Sequence, residues 1–147
     1  MTDADTQSAP AIHPLIAALA AMPIVRTLGV RITHIGKGEV EMEMPFDERW
    51  TFRAGQWQAT PMFAVADFAV VCAGATLLAD GWNVSTVDCT LKIVGPALEG
   101  PLRARAKVVK AGKLLTVSSA DVYSLTATGE SLCATALVTA RNLPPSA

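Results

Sequence analysis

The chain has 147 residues, with 12 Lys and Arg against 13 Asp and Glu and a formal charge of −1. That length suits one domain, which buries roughly 68–70% of its unfolded surface without disulfide or metal staples, and the balanced charge gives no bulk field to draw nucleic acid or an anionic membrane. Cys72, Cys89 and Cys133 each lie in an apolar stretch, with no metal-ligand spacing and no even number to pair, so they predict reduced, buried thiols in a cytoplasmic protein and no metal site.

Residues 1–11 read as a frayed tail, and residues 12–147 as a single domain. Residues 15–25 are apolar, but Asp3 and Asp5 precede them and no Lys or Arg comes before Arg26. The basic n-region of an export signal is missing. A short helix is expected over residues 13–22, ended by Pro23. Glu39, Glu41 and Glu43 then alternate with Val40, Met42 and Met44, the pattern of a strand with one wet face. Gly36 and Gly38 supply the turn before it.

From residue 54 to residue 79 the only charge is Asp67. Thr60-Pro61 predicts a helix start, with the Thr60 hydroxyl as N-cap and Pro61 at the first helical position. Residues 62–73 are apolar on every face apart from Asp67, which means an enclosed helix or a membrane span. Residues 61–79 come close to the roughly 20 that a span needs. Against a span, a central Asp costs about 2.5–3.5 kcal/mol, and no Lys or Arg flanks the segment closely. The enclosed helix is the better reading.

Four strand-like runs follow. Val87, Cys89, Leu91 and Ile93 alternate with Asp88, Thr90 and Lys92 up to Gly95-Pro96. Leu102, Ala104, Ala106 and Val108 alternate with Arg103, Arg105 and Lys107, which read as a solvated face. Ala111-Gly112 turns the chain into residues 114–123, and Thr128-Gly129 into residues 132–140. The class is α+β.

Helix, strand, buried helix and four strands is the order of the hotdog fold, an antiparallel sheet wrapped around a long central apolar helix. Within that fold the residues resemble the PaaI-like acyl-CoA thioesterases. That family carries His-Gly-Gly at the start of the central helix and an acid nine positions after the His; here Gln58-Ala59-Thr60 occupies the first and Asp67 the second. Gly55 matches a loop glycine, residues 86–97 resemble the strand ending in Pro-Ala, and Ala111-Gly112-Lys113 resembles the hairpin. The likeness spans residues 28–140. Two departures stand out: Gln58 replaces the His, and Phe52 replaces a loop Asn that helps to position water.

The resemblance implies hydrolysis of an acyl-CoA or related thioester, without a cofactor, by a homodimer or a dimer of dimers (a homotetramer). Thioester cleavage needs a nucleophile or base on one side and donors for the oxyanion on the other. Asp67 can attack or activate water, the N–H of Thr60 or Ala59 can donate at the positive end of the helix dipole, and Gln58 can donate through its amide. Thr60 and Asp67 are separated by about 10.5 Å along one helix, whereas reacting atoms approach to about 3–3.5 Å. The groups therefore meet only across two chains.

Plainer readings stand beside these. Asp67 could be a structural acid and Gln58 a loop residue bonding backbone. Trp57 and Trp50 line an acyl pocket or simply pack. Lys110 and Lys113 meet the phosphates of coenzyme A or form a solvated turn. A hotdog protein that binds a thioester without cleaving it is the second functional reading, prompted by the missing His and Asn. Hydratase chemistry is a weaker third, because no His follows His34.

Overall fold

The computed structural model describes residues 12–146, so the expected tail lies outside the described residues. Two short helices come first, α1 (Pro14–Ala20) and α2 (Pro23–Leu28). Strands β1 (Arg31–Gly36) and β2 (Glu39–Met44) follow, then a short 3-10 turn and the small hairpin β3 (Thr51–Arg53) and β4 (Gln56–Trp57). Helix α3 (Ala59–Ala75) leads into β5 (Asn83–Ile93), β6 (Leu102–Ala111), β7 (Leu115–Thr126) and β8 (Gly129–Leu143). The main sheet has the order β1-β2-β6-β7-β8-β5, antiparallel at every pairing. This is the expected α+β arrangement, with α3 packed against β2, β5, β6, β7 and β8.

The core follows from the alternation. Val40, Met42 and Met44 of β2, Leu102, Ala104 and Ala106 of β6, Ala120 and Val122 of β7, and Ala134, Ala136 and Val138 of β8 face inward and are buried. On α3 Val65, Ala66, Ala69 and Ala73 are fully enclosed. Small residues let the sheet approach the helix closely, and larger ones on β2 and β6 fill the remaining space. No helix of the described residues is long and apolar enough to cross a membrane.

Five local expectations need correction. Pro23 does not merely end α1; it opens α2, because at the first helical position its missing N–H is one that would lack a partner anyway. The sequence predicts one strand between the first helix and the buried one, but β1 precedes β2; it is an edge strand with mostly exposed side chains and so leaves no clean period to read. Helix α3 starts two residues earlier than its Thr-Pro signal suggests. Gln58 is the N-cap, Thr60 the second helical residue and Pro61 the third, a position where proline still forfeits no helical bond. On β5 a bulge between Thr86 and Asp88 resets the alternation. Thr86 therefore turns partly inward, while Val87 and Ile93 are 57% and 49% exposed.

The fifth correction concerns the expected solvated face of β6. Arg103 pairs with Glu41, Glu43 and Glu130, and Arg105 with Glu41 and Glu130. Arg31 also reaches Glu43 at 2.8 Å. Register explains the ladder, because Glu43 lies opposite Arg103, and Glu41 opposite Arg105. Only Lys107 of the three cations keeps to the solvated reading.

Burial pushes the Cys72 thiol up to about 12 and the Cys133 thiol up to about 11, so both stay protonated at neutral pH. Cys89 is only half-buried, because it sits on the edge strand.

Candidate active site

The start of α3 is fixed from below by Trp57, which is 2% exposed. Its backbone N–H donates to the Ala97 carbonyl at 2.9 Å and its indole N–H to Gly100 at 2.9 Å. Phe46 meets its ring edge-on, with 5.3 Å between centroids. The next N–H, of Gln58, donates to the Trp50 carbonyl at 3.1 Å. These bonds aim the exposed first turn Gln58-Ala59-Thr60 away from the core.

Gln58 caps the helix with its side chain: Oε1 accepts the Thr60 N–H. That bond has two consequences. It engages the Thr60 amide that the sequence offers as an oxyanion donor, and it leaves the Gln58 Nε2, which has no acceptor among the described residues, available as a donor. Among the described residues the Ala59 N–H has no acceptor.

Asp67 sits two turns further along α3, half-buried. The Thr86 hydroxyl donates to its Oδ1 at 2.8 Å. Burial raises its pKa above the ordinary 3.8, and the Thr86 bond only partly opposes that rise. Among the described residues its second oxygen, Oδ2, meets no donor. Thr86 is the partner that sequence reasoning misses. Strict alternation through Val87 sends residue 86 outward, and only the bulge brings it back to the helix. Asp67 also lies close to Cys89, whose thiol rises first through burial and then through the Asp67 charge.

Two cavities border the helix start. One of about 370 Å³ lies among Ile24, Leu28, Trp50, Pro61 and Ala64 and reaches Gln58 and Thr60. The other, of about 290 Å³, lies among Phe52, Trp57, Ala59, Met62, Ile93 and Pro96 and also reaches Gln58. Phe52 is 57% exposed, while Trp57 combines packing with a share of the cavity wall. Lys110 and Lys113 fall elsewhere. The β6–β7 turn follows Val108, which bonds to Gly38, and Gly38 bonds to Thr76 just past the end of α3. Within one chain the lysines are thus near the far end of a helix roughly 25 Å long. The described residues hold no group of three or more His, Cys, Asp or Glu suited to a metal ion.

A solved thioesterase family protein from Silicibacter pomeroyi is 32% identical to this chain, covering 88% of it and 96% of its own length, with a TM-score of 0.85. The chain belongs to the hotdog thioesterase family. Two other solved members of the fold agree with that placement. A thioesterase of Haemophilus influenzae is 25% identical, covers 86% of this chain and 87% of its own, and has a TM-score of 0.77. A phenylacetic acid degradation-related protein of Ralstonia eutropha JMP134 is 25% identical over 86% of this chain and 98% of its own, with a TM-score of 0.74. No protein-family profile and no curated protein matches the chain.

Proposed function

We propose that this chain hydrolyses acyl-CoA thioesters to a free acid and coenzyme A, with Asp67 as nucleophile or general base and the donors on the facing chain of a homodimer. The observation that carries this reading is Asp67 itself. It is a half-buried carboxylate in the middle of an apolar helix, its pKa raised by burial, with one oxygen tied to Thr86 and the other free of protein donors. No side-chain oxygen among the described residues is both buried and unpartnered, so the second oxygen stays open to a water or a substrate.

As a base, Asp67 takes a proton from water while the water oxygen attacks the thioester carbon. The carbonyl electrons move onto oxygen and return as the C–S bond breaks, and the proton passes to the departing thiolate. As a nucleophile, Asp67 forms an anhydride as the thiolate leaves, and water then cleaves it. Either path needs an oxyanion donor. With the Thr60 N–H engaged by Gln58, that role falls to the Ala59 N–H and the Gln58 Nε2. The Gln58 amide then does what the family His would do, and Thr60 acts through Gln58 as a positioning residue.

The dimer has support from β5. Among the described residues it pairs only with β8 and leaves its other edge open over 11 residues, with Val87 and Ile93 exposed. An unpaired edge of this length presents a row of free N–H and C=O groups to another strand. Two β5 strands meeting antiparallel about a two-fold axis would continue the sheet and set the α3 helices side by side in opposite directions. Thr86 and Asp67 lie at this edge. The same arrangement brings the far end of one α3, with Lys110 and Lys113, toward the Gln58 end of the other, where they can meet coenzyme A phosphates. A dimer of dimers would repeat this unit, and the protonated thiols suit a cytoplasmic setting.

The test is a set of acyl-CoAs assayed with a thiol-trapping dye. The wild-type chain should release coenzyme A and Asp67→Asn should be nearly inactive. Tight binding of acyl-CoA with no release by either chain would favour the non-catalytic binding reading.

A further inference from the structure

We propose that the start of α3 divides a bound thioester into two arms, with an uncharged, apolar acyl group in the cavity formed by α2, Trp50 and the first turns of α3. This rests on the thioester reading above. Gln58 is the one residue that lines both cavities. A carbonyl held at the Gln58 amide and the Ala59 N–H therefore has a separate cavity on either side, as a molecule with an acyl arm and a thiol arm requires.

The chemistry of the walls assigns the arms. The 370 Å³ cavity is walled mainly by the apolar Ile24, Leu28, Trp50, Pro61 and Ala64, with Thr51, Gln58 and Thr60 as its uncharged polar lining. Among the described residues Arg49 is the only charged one along it, and its Nε and Nη2 donate to the two carboxylate oxygens of Asp47. Among the described residues the cavity has no cation without a carboxylate partner, so a carboxylate at the far end of an acyl chain would have to compete with Asp47 for Arg49, and burying it unpaired is strongly unfavourable. The 290 Å³ cavity adds to the shared Gln58 amide the Gln56 amide and the exposed Phe52, beside the end of β5. Amides and an open aromatic face suit the polar, amide-bearing thiol arm. The acyl cavity also has a floor. Ala64 is half-buried one turn beyond Thr60, on the same face of the helix, so its size sets how far the chain can reach.

The experiment compares kcat/KM for straight-chain acyl-CoAs of increasing length, and for ω-carboxyl acyl-CoAs of matched length. Within the cavity each methylene should raise kcat/KM about fourfold, up to an optimum. An ω-carboxylate should lower it by at least about tenfold. Ala64→Leu should shorten the optimum by about two carbons or more. Ile24→Trp narrows the same cavity from an exposed position that tolerates exchange, and should shift the optimum in the same direction. Phe52→Ala should lower the rate with every acyl-CoA by a common factor. In parallel, S-alkyl-CoA thioethers, which cannot be cleaved, are titrated by Trp50 fluorescence with Trp50→Phe as the control.

A length profile unmoved by Ala64→Leu and Ile24→Trp, with turnover intact, overturns the assignment of the arms and leaves the hydrolysis reading standing. So does a profile shifted by Phe52→Ala. Length-dependent thioether binding without turnover of any thioester upholds the arms and removes hydrolysis. Absence of both removes the two together.

Discussion

Asp67 is where the residue scale decides most. Its folded-state pKa lies above the ordinary 3.8, so the folded chain holds the proton more readily than the unfolded one. The charge therefore lowers stability as pH rises through the folded pKa, and that loss is absent below about 3.8. Asp67→Asn keeps the acceptor for Thr86 and removes the charge. It should melt higher than the parent at neutral pH, with the gap closing as the pH falls toward 3.8, while losing activity throughout. An active variant that melts lower would make Asp67 structural. Thr86→Val removes the one donor that lowers this pKa. The proposed mechanism needs Asp67 ionised, so the acid limb of kcat/KM should move to higher pH and the plateau should fall. An unmoved limb would separate Thr86 from the chemistry. Asp67 could be found in the sequence because a lone charge in an apolar helix stands out. Thr86 could not, because its inward turn comes from a bulge, and bulges leave no period to read.

At the scale of elements, the central helix and its four following strands could be read from alternation and apolarity alone. The errors sit where one local signal had two uses. Thr60-Pro61 is an ordinary helix start, yet proline fits any position of the first turn, so the cap moved back to Gln58. That shift changes the chemistry, since it engages the Thr60 amide and fixes the Gln58 side chain. Gln58→Glu separates the two roles. Glutamate keeps the cap acceptor and puts a negative charge at the helix N-terminus, where the dipole favours it. It also removes the amide donor. Thermal stability should hold or rise, while turnover falls by roughly 10²–10³, the usual loss for one oxyanion donor. Full activity in a stable Gln58→Glu chain would leave the Ala59 N–H as the whole oxyanion site.

For the whole molecule, the outer face of the sheet carries its own stabilising device. Glu43 is 8% exposed, and its pKa is lowered first by Arg31 and then by Arg103. A depressed carboxylate stabilises the fold above its ordinary pKa of 4.5 and loses that effect as the pH falls through its folded value. Arg103→Ala should lower stability by about 1–3 kcal/mol at neutral pH, between the ranges for exposed and buried pairs. The difference should shrink in acid as Glu43 protonates, and denaturant melts at two pH values measure it. Sequence alternation alone could not reveal this ladder, because it depends on which strands become neighbours and in what register. The same holds for the open edge of β5, on which the proposed two-chain site rests. That site is the central claim, and purified heterodimers test it most directly. Asp67→Asn and Gln58→Glu chains, each nearly inactive alone, are co-expressed with different tags and isolated as the mixed pair. If the acid of one chain serves the donors of the other, one of the two sites in the pair is intact, and about half of the wild-type rate per dimer returns. A mixed dimer as inactive as its parents would contradict a site shared between chains.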